Sequence, residues 1–221
     1  MKRFLVVAGN IGVGKSTLVR LLSERLGWFP YYEPVAQNPY LADFYTSMQT
    51  WAFHSQVFFL TNRLRTHHQL MNHPSSVIQD RCVYEDAEVF AQNLFDQGLM
   101  TERDFQTYQD LYHVLVEFLP PPDLVLYLRA SIPTLTRRIS RRGRDFERQI
   151  QPEYLERLNT LYENWVSTFR LCPILTVPAD SLDYVRDSKH LALIVEKVEE
   201  KLSGKEEVVF EEEEVNGLNP A

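Results

Sequence analysis

Cysteine is nearly absent from this chain. Only Cys82 and Cys172 occur, with no CxxC pair, so neither a disulfide framework nor a thiolate zinc cluster is expected. Long apolar runs are missing too, and no stretch approaches the roughly 20 residues a transmembrane helix needs. Lys2 and Arg3 precede an apolar run that ends at Ala8, too short for the core of a signal peptide. Positive charge is in deficit: 23 Lys and Arg face 30 Asp and Glu, for a net charge of −7. That excludes a nucleic-acid or anionic-membrane surface as the general role, though not a local basic site. A reducing, cytoplasmic setting is the default expectation.

Glycine is also scarce, eight in 221 residues, yet three fall between Gly9 and Gly14. The stretch Gly9-Asn10-Ile11-Gly12-Val13-Gly14-Lys15-Ser16-Thr17 fits the phosphate-cradling P-loop. Phe4 to Ala8 before it read as a buried strand. Leu18, Val19, Leu21, Leu22 and Leu26 after it recur at helical spacing. Backbone N–H groups of Gly9, Asn10, Gly12, Val13 and Gly14, with the helix N-terminus at Ser16 and Thr17, are expected to hold an anion. Lys15 would reach the β/γ-phosphates and Ser16 would ligate Mg²⁺.

Downstream, short apolar strands alternate with helices. Strands are expected at 28–33, 76–79, 124–128 and 174–177. Helices are expected at about 15–26, 48–71, 84–97, 102–118, 131–143, 152–169 and 189–203, with a short one through Phe44-Tyr45. This predicts an α/β P-loop three-layer sandwich: a five-stranded parallel sheet with helices on both faces, one domain over 1–203. Residues 204–221, rich in glutamate, read as a disordered acidic tail.

Ligands in such sheets bind at the carboxyl ends of the strands, which selects Glu33, Asp80, Arg81 and Arg129. Glu33 could take a proton from an acceptor hydroxyl as the γ-phosphoryl moves, or be a surface carboxylate before Pro34. Asp80 can hold Mg²⁺; Arg81 can offset phosphoryl charge, pair with Glu33, or form a plain strand-end salt bridge. No Asp-Glu pair of the water-activating motor type occurs. Arg137, Arg138, Arg141 and Arg142 share one helical face, with Arg144 and Arg148 beyond the Gly143 hinge. In an acidic chain this reads as a lid over polyphosphate at about 138–149, against a solvated face or nucleic-acid patch. On the long helix, Phe53, Gln56, Leu60 and Arg63 form one stripe, suited to a planar heterocycle or simply amphipathic. His67, His68 and His73 read as an exposed helix end and not a metal site.

Taken together, the motifs resemble the deoxynucleoside kinase family, in its bacterial deoxyadenosine/deoxyguanosine branch. Besides the P-loop they are Tyr32-Glu33-Pro34, Asn38 to Leu41, Trp51 to Gln56, Gln79 to Asp86, and Arg141 to Glu147. The resemblance runs from Phe4 to about Asp183. It implies transfer of the γ-phosphoryl of ATP or another NTP to a deoxynucleoside 5′-hydroxyl, with Glu33 as base, Arg81 assisting and Asp80 serving Mg²⁺. It places Tyr45 and Glu147 on the sugar 3′-hydroxyl, Gln56, Arg63 and Asp86 on the base edge, and Phe90 on its face. Arg138, Arg142 and Arg144 become the lid arginines. Cys82 stands where the family commonly has serine, and Ser55 and Phe59 fall on the pocket side. Family members are usually homodimers, which points to the helices at 50–72 and 84–97 as interface. Ile78 to Asp86 look closer to adenosine-preferring members, so deoxyadenosine is the favoured acceptor, with deoxyguanosine or deoxycytidine as alternatives. A nucleoside monophosphate kinase of thymidylate-kinase type is the nearest rival. Its acceptor phosphate calls for an arginine beside the second-strand carboxylate, and here Tyr31-Tyr32 stand there. A nucleotide-binding switch is a further rival, but no Asn-Lys-x-Asp guanine motif occurs.

Overall fold

The computed structural model describes residues 2–32, 37–144, 147 and 150–218. Five strands build the sheet: β1 (Phe4–Gly9), β2 (Phe29–Tyr31), β3 (Val77–Asp80), β4 (Leu124–Arg129) and β5 (Ile174–Pro178). All pair in parallel, in the order β2-β3-β1-β4-β5. β1 is central, and its burial on both faces explains the unbroken apolar run. Its side chains alternate. Leu5 and Val7 enter one core with Leu124, Leu126 and Leu128 of β4, while Phe4, Val6 and Ala8 enter the other with Val125 and Tyr127.

Helices α1 (Lys15–Leu26), α7 (Ile132–Arg142) and α9 (Ser188–Leu202) cover the first face, through Leu18, Leu22, Leu135, Ile139, Ile194 and Val198. The second face is covered by α3 (Met48–Asn72), α6 (Glu102–Val116) and α8 (Pro152–Thr168), with Leu60, Tyr108, Leu158 and Trp165 packed against the sheet. A short helix, α2 (Leu41–Thr46), packs on α3 around Phe44, Ala52 and Leu94.

Three expectations need correction. The segment expected as one helix over 84–97 is composite: α4 (Val83–Glu85), a π-helical stretch (Asp86–Ala91) and α5 (Gln92–Asp96). Nothing in its apolar spacing distinguishes a wide turn from an α-turn. His67 is not exposed; it is buried edge-on to Phe4, and burial pushes its pKa down to about 4, so it sits neutral in the core. His68 does remain outside, while His73 is half-buried, its ring 4.3 Å from that of Phe29.

The acidic tail is ordered through Leu218. It ends in α10 (Glu212–Leu218), and Val208 and Val215 are buried in the first core. Glu214 accepts a hydrogen bond from Lys197 of α9 at 2.8 Å. The glutamates concealed two apolar anchors. Ending the chain at Gly204 is expected to lower the melting midpoint by about 2–8 °C. Burying each valine is worth up to about 1.5–3 kcal/mol, part of which offsets the ordering of α10. A domain of this size shifts by roughly 2–4 °C per kcal/mol. Thermal unfolding of the truncated chain checks this, and an unchanged midpoint would show that the docked tail adds nothing.

Candidate active site

Because β1 and α1 run into and out of the loop, Gly9 to Thr17 must turn within a few residues. Two positions show why glycine is needed. Gly12 has φ +82°, and an added Cβ would lie 2.6 Å from Ile139 of α7; Gly14 has φ +108°, with the Tyr184 hydroxyl 2.7 Å from any Cβ. The loop curls around Lys15, whose ammonium donates to the carbonyls of Gly9 at 2.8 Å and Asn10 at 3.1 Å. It opens into a cavity of about 230 Å³ walled by Gly12, Gly14, Lys15, Ser16 and Thr17 on one side.

Opposite the loop, β3 delivers Asp80 and Arg81. Ser16 donates its hydroxyl proton to Asp80 Oδ2 at 2.5 Å, while Asp80 Oδ1 is buried and takes no hydrogen bond among the described residues. Arg81 is the only non-glycine described residue with positive φ, +68°. An L-residue held there costs about 1–3 kcal/mol. Its guanidinium lies 4.2 Å from the centre of the Phe90 ring, a cation–π contact.

The next wall comes from α3 and the π-helical stretch. Gln56, Ser55 and Phe59 line the cavity from α3, Asp86 and Phe90 from the stretch, and Tyr45 from α2. Gln56 Oε1 is buried and takes no hydrogen bond among the described residues. Arg63 does not line the cavity. Its Nε donates to Asp86 Oδ2 at 2.8 Å and its Nη1 to the Asp80 carbonyl at 3.3 Å, so it holds two wall residues from behind. The expectation that Arg63 faces a base is corrected accordingly: the buried Asp86 carboxylate needs the cation more than the open space does.

The lid region supplies Arg142, Arg144 and Glu147. Glu147 accepts from Arg142 through both oxygens, at 3.0 and 2.6 Å, and from Arg144 at 3.4 Å. The expectation gave these residues separate partners; the structure pairs them with one another. Arg138 departs further. It lies outside the cavity, donating to the Val13 carbonyl at 2.6 Å and the Ala179 carbonyl at 2.8 Å, so it braces the P-loop from outside. Gly9, Asn10 and Val13 likewise do not line the cavity. The Asn10 amide reaches back to Leu155 and Asn159 of α8. Arg129, selected by the strand-end rule, is paired with Glu163 on α8. Glu33 lies outside the described residues.

Tyr154 of α8 was not anticipated. It lines the cavity, and burial raises its hydroxyl to a pKa of about 12, a neutral group at working pH. The strand-end rule does not reach the start of a helix, so only its position just after the lid pointed to it. Ile11, Leu41 and Phe44 also line the cavity. Cys82 is a packed core residue whose thiol is pushed well up by burial and then by Glu85, which leaves it inert.

A strand–loop–helix cradle facing an acid and an arginine at the end of a neighbouring strand, with Arg142 and Arg144 on the same cavity, defines a P-loop phosphotransferase. The particular family follows from comparison with known proteins: the deoxynucleoside kinase family model matches residues 5–203, and the chain belongs to that family. It is 37% identical over 196 residues to a deoxyadenosine/deoxycytidine kinase of Bacillus subtilis, covering 88% of this chain and 90% of the relative. A deoxyguanosine kinase of the same organism is 33% identical over 201 residues, covering 89% and 96%. The structure of deoxyadenosine kinase from M. mycoides with bound dATP superposes with a TM-score of 0.80 at 33% identity, covering 89% of this chain and 99% of that one.

Proposed function

We propose that this deoxynucleoside kinase transfers the γ-phosphoryl group of ATP or another NTP to the 5′-hydroxyl of deoxyadenosine, with deoxycytidine as second acceptor. One observation carries the reading: a single cavity joins the P-loop to a compartment bearing Gln56, Asp86 and Phe90. The acceptor oxygen Gln56 Oε1 lacks an N–H donor among the described residues. The amino groups of adenine and cytosine offer one, beside a ring nitrogen that suits the amide N–H₂. The M. mycoides deoxyadenosine kinase is known with dATP and also with dCMP, and the first B. subtilis relative is named for both bases.

Catalysis in this reading is positioning and charge neutralisation. Lys15 and the backbone of the loop hold the donor phosphates. Arg142 and Arg144 swing from Glu147 towards the equatorial oxygens, and Glu147 with Tyr45 takes the sugar 3′-hydroxyl. Arg81 neutralises charge at the reacting end, and Glu33 orients the acceptor hydroxyl and takes its proton. Ser16 and Asp80 fit Mg²⁺ carried in by the nucleotide, since a hydroxyl and a buried carboxylate with a spare oxygen are already in contact. Bound there, the ion would supply positive charge that offsets the charge of the phosphates.

Initial rates with ATP and Mg²⁺ test this. The expected order is deoxyadenosine, then deoxycytidine, with deoxyguanosine well below; deoxyguanosine first would overturn the base assignment. Phosphorylation of deoxynucleoside monophosphates in place of nucleosides would favour the thymidylate-kinase type. Glu33→Gln is expected to cut kcat by about 10²–10⁴ at unchanged nucleoside affinity; near-normal turnover would remove Glu33 as base.

A homodimer is part of the proposal, with its surface adjusted. Residues 84–97 are mostly buried within the chain, whereas Leu111 and Val114 of α6 and Phe118 just beyond it are exposed at i, i+3 and i+7, next to α3. Light scattering of the purified chain would contradict this by returning the mass of a monomer. No helix of the described residues is long and apolar enough to cross a membrane. A cytoplasmic setting, where ATP and Mg²⁺ are plentiful, fits the reaction.

A further inference from the structure

Glu85 is fully buried yet takes no part in the cavity. Locally it closes a capping box with Cys82 at the start of α4: its Oε2 accepts from the Cys82 N–H at 3.0 Å and from the thiol at 3.5 Å. A cap needs no more than that. The other oxygen does something a cap does not require. Oε1 accepts from the N–H of Gly9, 76 residues away, at 3.2 Å and from the Tyr162 hydroxyl at 2.8 Å. The same hydroxyl lies 2.8 Å from the Gly9 carbonyl, which also accepts from Lys15.

One carboxylate therefore grips the first residue of the P-loop and the residue that follows Arg81. The Arg81 backbone is held in the left-handed region between two fixed points, its own N–H on the Val7 carbonyl at 3.0 Å and the next N–H on Glu85. Such a conformation persists only where its surroundings over-determine it. Burying a carboxylate is costly unless donors compensate, and here two of the compensating donors, the N–H groups of Gly9 and Cys82, belong to the donor loop and the Arg81 turn.

We propose that Glu85 is a positioning residue for phosphoryl transfer: it sets Arg81 in register with the P-loop and acts through Arg81. This rests on the kinase reading and on the part that reading gives Arg81. Glu85→Gln preserves shape but turns one acceptor oxygen into a donor, so either Gly9 or Cys82 loses its partner. With the full chain, ATP, Mg²⁺ and deoxyadenosine, kcat is expected to fall about tenfold to a hundredfold. The dissociation constant of deoxyadenosine, measured by direct titration, should stay within about threefold. In an Arg81→Ala background the same change should cost less than about twofold in kcat, because the group it positions is gone. Equal losses in both backgrounds, or none in the first, would overturn the proposal while leaving the role of Arg81 intact. Full activity in Arg81→Ala would instead overturn that role, and this proposal with it. Should Glu85→Gln not fold, Tyr162→Phe removes one partner of the carboxylate without changing ring shape. Its loss in kcat should likewise vanish in the Arg81→Ala background, and persistence of that loss would again overturn the proposal.

Discussion

Replacing Lys15 by methionine is expected to lower kcat by about 10³-fold or more while leaving the chain folded. The ammonium is nearly buried and spans the loop, donating to the Gly9 and Asn10 carbonyls. Methionine keeps the aliphatic stem and removes the charge. The Asn10 carbonyl still accepts from the Val13 N–H at 3.3 Å, and the Gly9 carbonyl keeps the Tyr162 hydroxyl, shared with Glu85, 2.8 Å away, so the loop loses two hydrogen bonds but keeps its other ties. Against triphosphate the balance differs. Removing a single preorganised donor aimed at developing charge costs about 10²–10³ in rate, and a full cation at the transferring group is worth about 10³–10⁵. Turnover should therefore collapse while the melting midpoint moves by only a few degrees. Steady-state rates beside a thermal melt check both halves. Retained turnover would mean that the backbone N–H groups and the lid arginines carry the charge without Lys15.

Much of this site was legible because it lies where strands end. The P-loop, Asp80 and Arg81 follow from a parallel sheet and a rule about its carboxyl edge, and the sheet puts β3 beside β1, so Ser16 meets Asp80. The same rule misled at Arg129. Strand-end position does not say whether another helix offers a carboxylate first, and Glu163 does. Helical spacing placed Gln56 and Arg63 on one stripe but could not tell that Arg63 would turn away to compensate the buried Asp86. Pairing across sequence is invisible to periodicity. The arginine run shows the limit in another form. Shared helical phase suggested a shared task, yet Arg138 braces loop carbonyls while Arg142 is held by Glu147. Composition misread the tail because six of its glutamates outweigh Val208 and Val215, although burial of those two valines decides where it lies.

Arg63→Met is expected to destabilise the fold by about 3–5 kcal/mol, since breaking a buried ion pair from one side takes the paired cation from a carboxylate that stays buried. Both side chains are only 4% exposed, so solvent offers Asp86 little relief. At roughly 2–4 °C per kcal/mol for a domain of this size, the melting midpoint should drop by about 6–20 °C. The guanidinium also supports the Asp80 carbonyl at 3.3 Å, so the turn carrying Arg81 loosens as well. The double substitution Arg63→Met with Asp86→Leu separates stability from function. Replacing a buried pair by apolar groups of similar size is often neutral or stabilising, so most of the lost stability should return. Nucleoside affinity should not, because Asp86 lines the cavity and leucine removes the carboxylate it presents there. Denaturant midpoints and direct deoxyadenosine titration of the wild type, the single and the double variant decide it. If affinity returned along with stability, the Arg63–Asp86 pair would be scaffolding alone and base recognition would rest on Gln56 and Phe90.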